Sequence, residues 1–339
     1  MTDFLIRQAE RGDIEQITGL FNLVFEASAT SPYMRWLLSD PYHQGNLNSL
    51  VALSDDRIVG QIGYVKAKYL RGTERISGVH PISLCVHPDS RRSGIGRELF
   101  KRASLMGDVS IIYEGGPEGW PLYPMLGYKE AGQAYHYRTS VRLPGIAGFC
   151  SERAIKGFPR ALASSLRDKA ARAGRTRVKD PRISFGPYSA AEWAGCTPAD
   201  GLLTNCPDLE TIGWFQECPQ LESHVHTVRQ GETALGTLFL YVHRYGTHST
   251  GRIHHLPNMG DDHTGWVTVL THAERLLAGL GCSMVTICAT HRGLRGGLDA
   301  LGWRHIDQRR IWIVDHQGLL NERQWHLTYL EGDHGFRGV

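Results

Sequence analysis

The amino-acid sequence predicts an α/β protein with a mixed sheet, built as tandem copies of one fold. Three observations support this class. The first 145 residues alternate between candidate strands and helices, and the run Ile82–Val86 is almost continuously apolar, as in a central strand covered on both faces. Residues 183–339 repeat the same coarse order. The segments Met125–Tyr128 and Ala300–Trp303 both end in Leu-Gly-aromatic at corresponding places, which indicates a duplication.

The first half follows from hydrophobic periodicity and turn residues. Asp13 precedes a run of apolar residues at helical spacing and is a typical N-cap. Asp55-Asp56 supplies a turn between two strands, and Asp40-Pro41 disfavours continuation of a helix. The predicted strands are Phe4–Arg7, Leu50–Leu53, Arg57–Val65, Ile82–Val86, Val109–Tyr113 and the chain from Tyr128, and the predicted helices are Ile14–Val24, Tyr33–Leu38, Gly94–Leu105 and Trp120–Leu126.

The middle of the chain differs from both halves in composition. Residues 153–182 hold ten Lys and Arg against two acids, and Phe158–Ala173 is predicted as an amphipathic helix that begins beside Pro159 and stops at Gly174. The sequence is therefore divided into a first domain at 1–145, a basic connection at 146–182 and a second domain at 183–339. In the second domain the predicted elements are His224–Arg229, Ala234–Val242, Met284–Ala289 and Arg310–Val314 as strands, and Gly265–Leu280 and Arg292–Leu301 as helices.

Composition narrows the function classes. With 339 residues, 41% hydrophobic and 21% charged, the chain has enough apolar mass for two cores and is not mainly disordered. A net charge of +3 is too small to indicate nucleic-acid binding by itself. No apolar run approaches the roughly 20 residues that cross a bilayer, and the first residues are not typical of a secretory signal. We expect a soluble, cytoplasmic protein that has no membrane partner.

Cysteine and histidine usage argues against disulfides and metals. The seven cysteines are odd in number, scattered and without a Cys-x-x-Cys pair, as expected of reduced thiols. His224 and His226 share a strand face, and His254-His255 lies near His263, yet no spacing typical of a zinc site joins them. We therefore expect no metal site.

The segment Ile82–Gly96 carries the strongest chemical signal. It reads as a buried strand, a turn set by Pro88, the pair Arg91-Arg92 and then glycines at 94 and 96 that open a helix. A helix N-terminus leaves backbone N–H groups unpaired and carries the positive end of the helix dipole. Glycines allow an anion to approach that backbone closely. The construction suits a diphosphate, although it is neither a Walker loop nor a dinucleotide fingerprint.

This segment resembles the acyl-CoA-binding motif of the GCN5-related N-acetyltransferases (GNAT), in the form Arg91-x-x-Gly94-x-Gly96 after Val86-x-Pro88. The stretch Tyr123–Tyr128 resembles the family's tyrosine and Leu-Gly-aromatic segment after the fifth strand. Together the resemblance spans about residues 4–142. It implies acetyl-CoA as co-substrate, with the pantetheine arm along the strand and the diphosphate at the turn. The implied cofactor-binding residues are Leu84, Cys85, Val86, Arg91, Arg92, Ser93, Gly94, Ile95 and Gly96.

The resemblance also implies catalytic roles. Acyl transfer to an amine needs an oxyanion donor, a path for the ammonium proton and an acid for the departing thiolate. The Val86 N–H is the implied oxyanion donor and Tyr123 the implied acid. Glu114 is the first candidate for the base and His80 the second. A nucleophilic Cys85 would need a basic partner, and direct transfer makes it unnecessary.

The acceptor site is expected between the halves. The region that lines the acceptor pocket in the family contains Glu26 and Tyr33 here. In the polar C-terminal tail, Glu331, Asp333 and His334 are candidates to reach the same pocket, the alternative being a frayed end or an ordinary edge strand. In the second half the position of the diphosphate turn reads His255–Gly265, where acidic Asp261 and Asp262 would repel a diphosphate, so that half is expected to be degenerate and to shape the acceptor site.

The sequence thus predicts direct transfer of an acetyl group from acetyl-CoA to a primary amine of a small molecule. The basic connection is expected to be a solvated charged face, the alternative being a contact for a phosphate-bearing acceptor. The stretch Pro117–Tyr123 is similar to two-domain acetyltransferases encoded with sugar-biosynthesis enzymes, which points to an amino sugar, free or nucleotide-linked. Acetyl or aminoacyl transfer to an amine on nucleic acid or protein stays an alternative. A CoA-binding protein of the same fold without turnover is the other.

Overall fold

The fold is a mixed α/β arrangement in which one sheet runs through both halves of the chain. The structure is a computed structural model that describes residues 4–39, 41, 47–72, 74–113, 119–142, 162–163, 166–168, 170, 179–189, 203–245, 248–318 and 325–327. The strands of the first half are β1 (Leu5–Gln8), β2 (Ser49–Ser54), β3 (Arg57–Arg71), β4 (Glu74–Val86), β5 (Val109–Tyr113) and β6 (Lys129–Ser140). Its helices are α1 (Ile14–Phe25), α2 (Ser31–Leu38), α3 (Ile95–Ser104) and α4 (Leu122–Met125).

The second half repeats the central arrangement of the first. Its strands are β7 (Ile183–Pro187), β8 (Leu203–Asn205), β9 (Glu222–Gln230), β10 (Thr233–Tyr245), β11 (His248–His255), β12 (Met284–Ala289), β13 (Arg304–Asp315) and β14 (Trp325–His326), and its helices are α5 (Leu209–Gln216), α6 (His263–Gly279) and α7 (Arg292–Ala300). In each half an antiparallel pair is followed by a helix and then by a parallel strand: β3, β4, α3 and β5 correspond to β10, β11, α6 and β12.

The two halves exchange strands at their boundary. The sheet order is β1-β2-β3-β4-β5-β13-β6-β12-β11-β10-β9-β7, with β8 between β3 and β14. Strand β13 of the second half therefore lies between β5 and β6 of the first, and β6 pairs with β12 of the second. Because the backbone hydrogen bonds of each half are completed by the other, neither half closes its sheet alone. The domain limits at 145 and 183 stay a prediction.

Helices α2 and α5 join the halves on one face of the sheet. The indole Nε1–H of Trp36 donates to the carbonyl of Trp214 at 2.7 Å, and the Nε1–H of Trp214 donates to the carbonyl of Trp36 at 2.8 Å. The two indole rings stack with centroids 5.1 Å apart. Tyr241 of β10 donates its hydroxyl to the Phe215 carbonyl at 2.6 Å in the same apolar core. This core contains residues of α1, α2, α5 and β10, so burial of apolar surface stabilises both halves together.

The strands and helices differ from the predicted ones chiefly in length and number. Strands β3 and β4 form a hairpin that continues to residues 71 and 74, well beyond the predicted ends. Polar residues such as Lys66, Lys68 and Ser77 hide the alternation of apolar and polar side chains by which these strands could have been recognised. The sequence did not indicate α5, β7, β8, β11 or β14. The predicted helix Phe158–Ala173 lies mostly outside the described residues. Its described residues, 162–163, 166–168 and 170, are helical.

The findings on membranes and metals are limited to the described residues. No helix there is long and apolar enough to cross a bilayer. No group of three or more His, Cys, Asp or Glu side chains there is arranged to hold a metal ion. The described cysteines 85, 206, 218, 282 and 288 form no disulfide.

Candidate active site

The central feature of the first half is a gap between two parallel strands. Strands β4 and β5 pair only at Gly78↔Val109 and Val79↔Ser110, although β4 continues to Val86 and β5 to Tyr113. Beyond these pairs the strands diverge. A groove that is open between parallel strands exposes backbone N–H and C=O groups, which an extended ligand can bind.

A bulge turns the end of β4 toward this groove. Ser83 has a φ of +54°, and the register with β3 shifts between Gln61 and Gly63, so β4 carries an extra residue there. The buried amide of Gln61 holds the bulge: in the orientation that satisfies both ends of the amide, its nitrogen donates to the Ser83 carbonyl at 3.0 Å and its oxygen accepts from the Gly63 N–H at 2.8 Å. The side chain therefore bonds the backbone of both strands at the irregularity.

The last residues of β4 direct their backbone N–H groups alternately toward β3 and toward β5, and their side chains to opposite faces of the sheet. Because the His87 N–H donates to the Val59 carbonyl at 2.8 Å, the N–H of the preceding Val86 points the other way, toward β5 and the groove. The side chains of Leu84 and Val86 are half-buried beside α3, while Cys85 packs into the core on the opposite face. Val86 thus offers a backbone donor to the groove, whereas the backbone groups of Cys85 face β3 and its thiol lies in the core.

The predicted anion site is the turn between β4 and α3. Arg92 and Gly94 adopt left-handed conformations with φ of +65° and +90°, and Gly94 is the N-cap of α3. The Glu98 N–H donates to the Gly94 carbonyl at 3.1 Å and begins the intrahelical bonds. The amides of residues 95–97 precede that bond and point out of the helix N-terminus, where they favour an anion.

The turn is backed by close packing and flanked by positive charge. Arg91 and Arg92 are exposed, and Ser93 donates its hydroxyl to the Ser90 carbonyl at 2.6 Å. A Cβ at Gly96 would lie 3.6 Å from Val86 Cγ2, so the helix start packs directly on the end of β4. A diphosphate at the helix start and an extended arm along β4 are therefore compatible with the same ligand.

Two tyrosines lie near this helix with different surroundings. Tyr128 is buried, and its hydroxyl is 2.6 Å from that of Ser110; burial raises its pKa. Tyr123 on α4 is 5% exposed and packs against Phe100 of α3 and Trp312 of β13, with ring centroids 5.7 Å away in each case. A Cβ at Gly119 would collide with the Tyr123 hydroxyl, so the glycine leaves room for that group. Tyr123 is the better candidate for an acid.

His80 lies at the point where β4 and β5 separate. Its Nδ1–H donates to the Ile111 carbonyl at 3.1 Å, and its Nε2 accepts from the Tyr69 hydroxyl at 2.6 Å. Burial lowers the pKa of His80 to about 3. Since both ring nitrogens are used and the group is buried, this setting argues against His80 as the base. It bridges the two strands instead.

The remaining predicted residues are placed apart from the groove or outside the described chain. Glu26 is exposed at the end of α1. Tyr33 is 5% exposed and packs beside Trp36 in the core between the halves, which argues against direct contact with an acceptor. Glu114, Glu331, Asp333 and His334 lie outside the described residues.

The corresponding turn of the second half is built differently. Asp262 caps α6, and its carboxylate accepts from the Gly265 N–H at 2.9 Å. Asp261 pairs with Arg292 of α7 at 2.9 Å, and the Trp266 indole N–H donates to the Gly260 carbonyl at 2.8 Å. An internal carboxylate therefore takes the place of an external anion at this helix start, which supports the expectation that this half does not bind CoA.

Sequence reasoning missed the residues that shape the groove. Gln61 and Tyr69 lie in strand β3, and their partners Ser83 and His80 lie in β4. A polar Gln61 within an apolar strand was a signal that could have been used. The left-handed Ser83 has no sequence signal, because serine carries no preference for that conformation.

Comparisons with known proteins agree with this geometry. Residues 5–106 match the family model of the acetyltransferase (GNAT) domain. A GCN5-related N-acetyltransferase from Anabaena variabilis is similar in structure over 93% of this chain and 73% of its own, with TM-score 0.59 and 12% identity. One from Kribbella flavida is similar over 92% and 70%, with TM-score 0.54 and 13% identity. Eis1 from Mycobacterium abscessus is similar over 92% and 73%, with TM-score 0.53 and 14% identity. No curated protein matches the sequence.

The match at residues 5–106 covers β4, the bulge and the turn at Gly94, and it ends before β5. At these low identities the structural similarities show the fold, which is that of the GNAT acyltransferases over nearly the whole chain. Residues 5–106 are therefore similar to a GNAT acetyltransferase domain, and the chain as a whole has the fold of the GNAT acyltransferases, as its sequence predicted.

Proposed function

We propose that this protein transfers an acetyl group from acetyl-CoA to a primary amine in a ternary complex. The observation that carries the proposal is the pair of features at the end of β4: the Val86 N–H directed into the groove, and the amides at the start of α3 a few residues later. One co-substrate with a thioester and a diphosphate can use both. GNAT domains generally use acetyl-CoA.

The reaction would use the groove as follows. The amine nitrogen attacks the thioester carbonyl, and the Val86 N–H donates to the oxygen that becomes negative. Collapse of this intermediate breaks the C–S bond and leaves a thiolate, and the new amide nitrogen releases one proton, which balances the proton that the thiolate takes up. The Tyr123 hydroxyl is the candidate acid that protonates this sulfur. The amine must lose its proton before attack; among the described candidates His80 is poorly suited to accept it, so Glu114 is retained as the proposed base.

The acceptor is proposed to be a small molecule that carries an anion, with a nucleotide-linked amino sugar as the first candidate. The ten basic residues within 153–182 support this class, since they would attract phosphate. A protein or nucleic-acid amine is the alternative. Glu331 and Asp333 of the polar C-terminal segment are proposed as further contributors to the acceptor site.

A thiol-release assay tests the proposal. Acetyl-CoA is incubated with the chain and a panel of nucleotide-linked amino sugars, free amino sugars, amino acids and lysine peptides, and each product is identified by its mass gain of one acetyl group. We expect release that depends on the acceptor and is greatest with a phosphate-bearing amine. Saturable acetyl-CoA binding without release on any amine would refute the enzyme and favour a binding protein.

A further inference from the structure

The groove of the second half is occupied by the chain itself. Residues 325–327 lie where the ends of β11 and β12 separate. His326 donates its Nε2–H to the carbonyl of Leu256, the residue that follows β11, at 3.0 Å. The Leu327 N–H donates to the hydroxyl of Thr290, the residue that follows β12, at 2.9 Å. The segment therefore bridges the two strands that correspond to β4 and β5.

Two side chains of this segment are fully buried. His326 and Leu327 are both 0% exposed. The His326 ring packs against Trp266 of α6, with centroids 5.5 Å apart, and lies 6.2 Å from the ring of His291 and 6.5 Å from that of His255. This groove thus holds an extended peptide, bound by backbone and side-chain hydrogen bonds.

The same segment reaches the groove of the first half. Strand β14 pairs with β8, and β8 pairs with β3 at Tyr69 and Leu70. Leu327 belongs to one buried apolar cluster with Tyr69, Ile111 and Tyr113. Tyr69 in turn holds His80, whose ring donates to the Ile111 carbonyl where β4 and β5 separate. A continuous series of contacts joins the groove of the second half to that of the first.

We propose that the second half is a socket for the segment Trp325–Leu327, and that the seated segment positions the diverging strands β4 and β5. His326 and Leu327 are then positioning residues for acyl transfer, acting through Tyr69 and His80. The duplicated half would contribute to the reaction by holding a peptide instead of a second cofactor. The kinetic consequence of this inference rests on the proposed function, whereas its structural consequence does not.

Hydrogen–deuterium exchange of the full-length chain tests the structural consequence. His326→Leu fills the buried position with an apolar side chain and removes the bond to Leu256, whereas His326→Gln replaces the ring N–H by an amide N–H donor. Trp303→Phe is the matched control, because it removes a buried bond to Glu274, 2.7 Å long, elsewhere in the same half. We expect His326→Leu to raise exchange at least about tenfold at residues 325–327 and also in peptides covering 78–86 and 109–113. His326→Gln and Trp303→Phe should leave β4 and β5 protected.

Kinetics add a second readout. In His326→Leu we expect kcat to fall at least about tenfold, because small displacements of reacting groups cost that much, with the Kd of acetyl-CoA within about twofold of the wild type. His326→Gln should restore kcat. The inference is overturned if His326→Leu leaves residues 325–327 protected, or loosens them without changing β4 and β5. Should the wild type release no thiol with any amine, the proposed function fails. The exchange comparison still tests whether the second half binds residues 325–327 and whether this binding holds β4 and β5 in place.

Discussion

Replacing Gly94 by asparagine and by aspartate would measure how the turn before α3 handles negative charge. Gly94 has a φ of +90°, and nothing lies within 4 Å of the position that its Cβ would take. Asparagine and aspartate tolerate the left-handed region similarly and have almost the same shape. Both variants therefore carry the same backbone cost. They differ by one charge beside the amides of residues 95–97.

The expected difference in acetyl-CoA affinity between the two variants follows from Coulomb's law. Two like charges about 4 Å apart repel by about 1 kcal/mol in water and by about 4 kcal/mol near a protein surface. Since about 1.4 kcal/mol is a factor of ten, Gly94→Asp should bind acetyl-CoA at least about fivefold more weakly than Gly94→Asn. Isothermal titration calorimetry in low salt measures both Kd values, and added salt should reduce the difference.

A ligand without the diphosphate supplies the control. S-acetyl-pantetheine contains the thioester and the arm but no phosphate, so the two variants should bind it equally. Equal Kd values of the two variants for acetyl-CoA would refute the placement of the diphosphate at Gly94. A difference that persists with S-acetyl-pantetheine would show that the aspartate disturbs the groove rather than the anion site.

Three further outcomes are expected. Tyr123→Phe should lower kcat about 100-fold with the Kd of acetyl-CoA unchanged, since general acid catalysis typically contributes that much; an unchanged kcat in stopped-flow thiol release would remove its assigned role. The free energy of unfolding should fall as pH drops from about 6.5 to 3, because burial keeps the pKa of His80 at about 3 and the unfolded chain binds the proton first. In urea titrations His80→Gln should flatten this loss by roughly 1 kcal/mol per pH unit, and an identical slope would contradict the burial argument. Trp36→Phe and Trp214→Phe should each lower the free energy of unfolding by about 1–3 kcal/mol. If the loss in the double variant equals the sum of the two single losses, the two indoles are not an energetically coupled pair.

Sequence patterns were most informative where a local physical requirement is unusual. The glycines at 94 and 96 before an amphipathic helix indicated an anion site, and the structure places the left-handed Gly94 and the helix start together. The strand ending at Val86 was recognised from its apolar run. The sequence shows residue type but not burial, so it could not reveal that His80 and Tyr33 are both buried. Their predicted roles as base and acceptor contact stay predictions.

Most of the local elements, the turn at Gly94 and the class of the fold could be predicted from the residues, because capping, periodicity and glycine conformations depend on near neighbours in the chain. Which strands pair with each other could be seen only in the folded molecule. The insertion of β13 between β5 and β6 and the hydrogen bond from His326 to the Leu256 carbonyl join residues far apart along the chain. Such long-range pairings are selected by the burial and hydrogen bonding of the whole molecule, and no short stretch of residues records them.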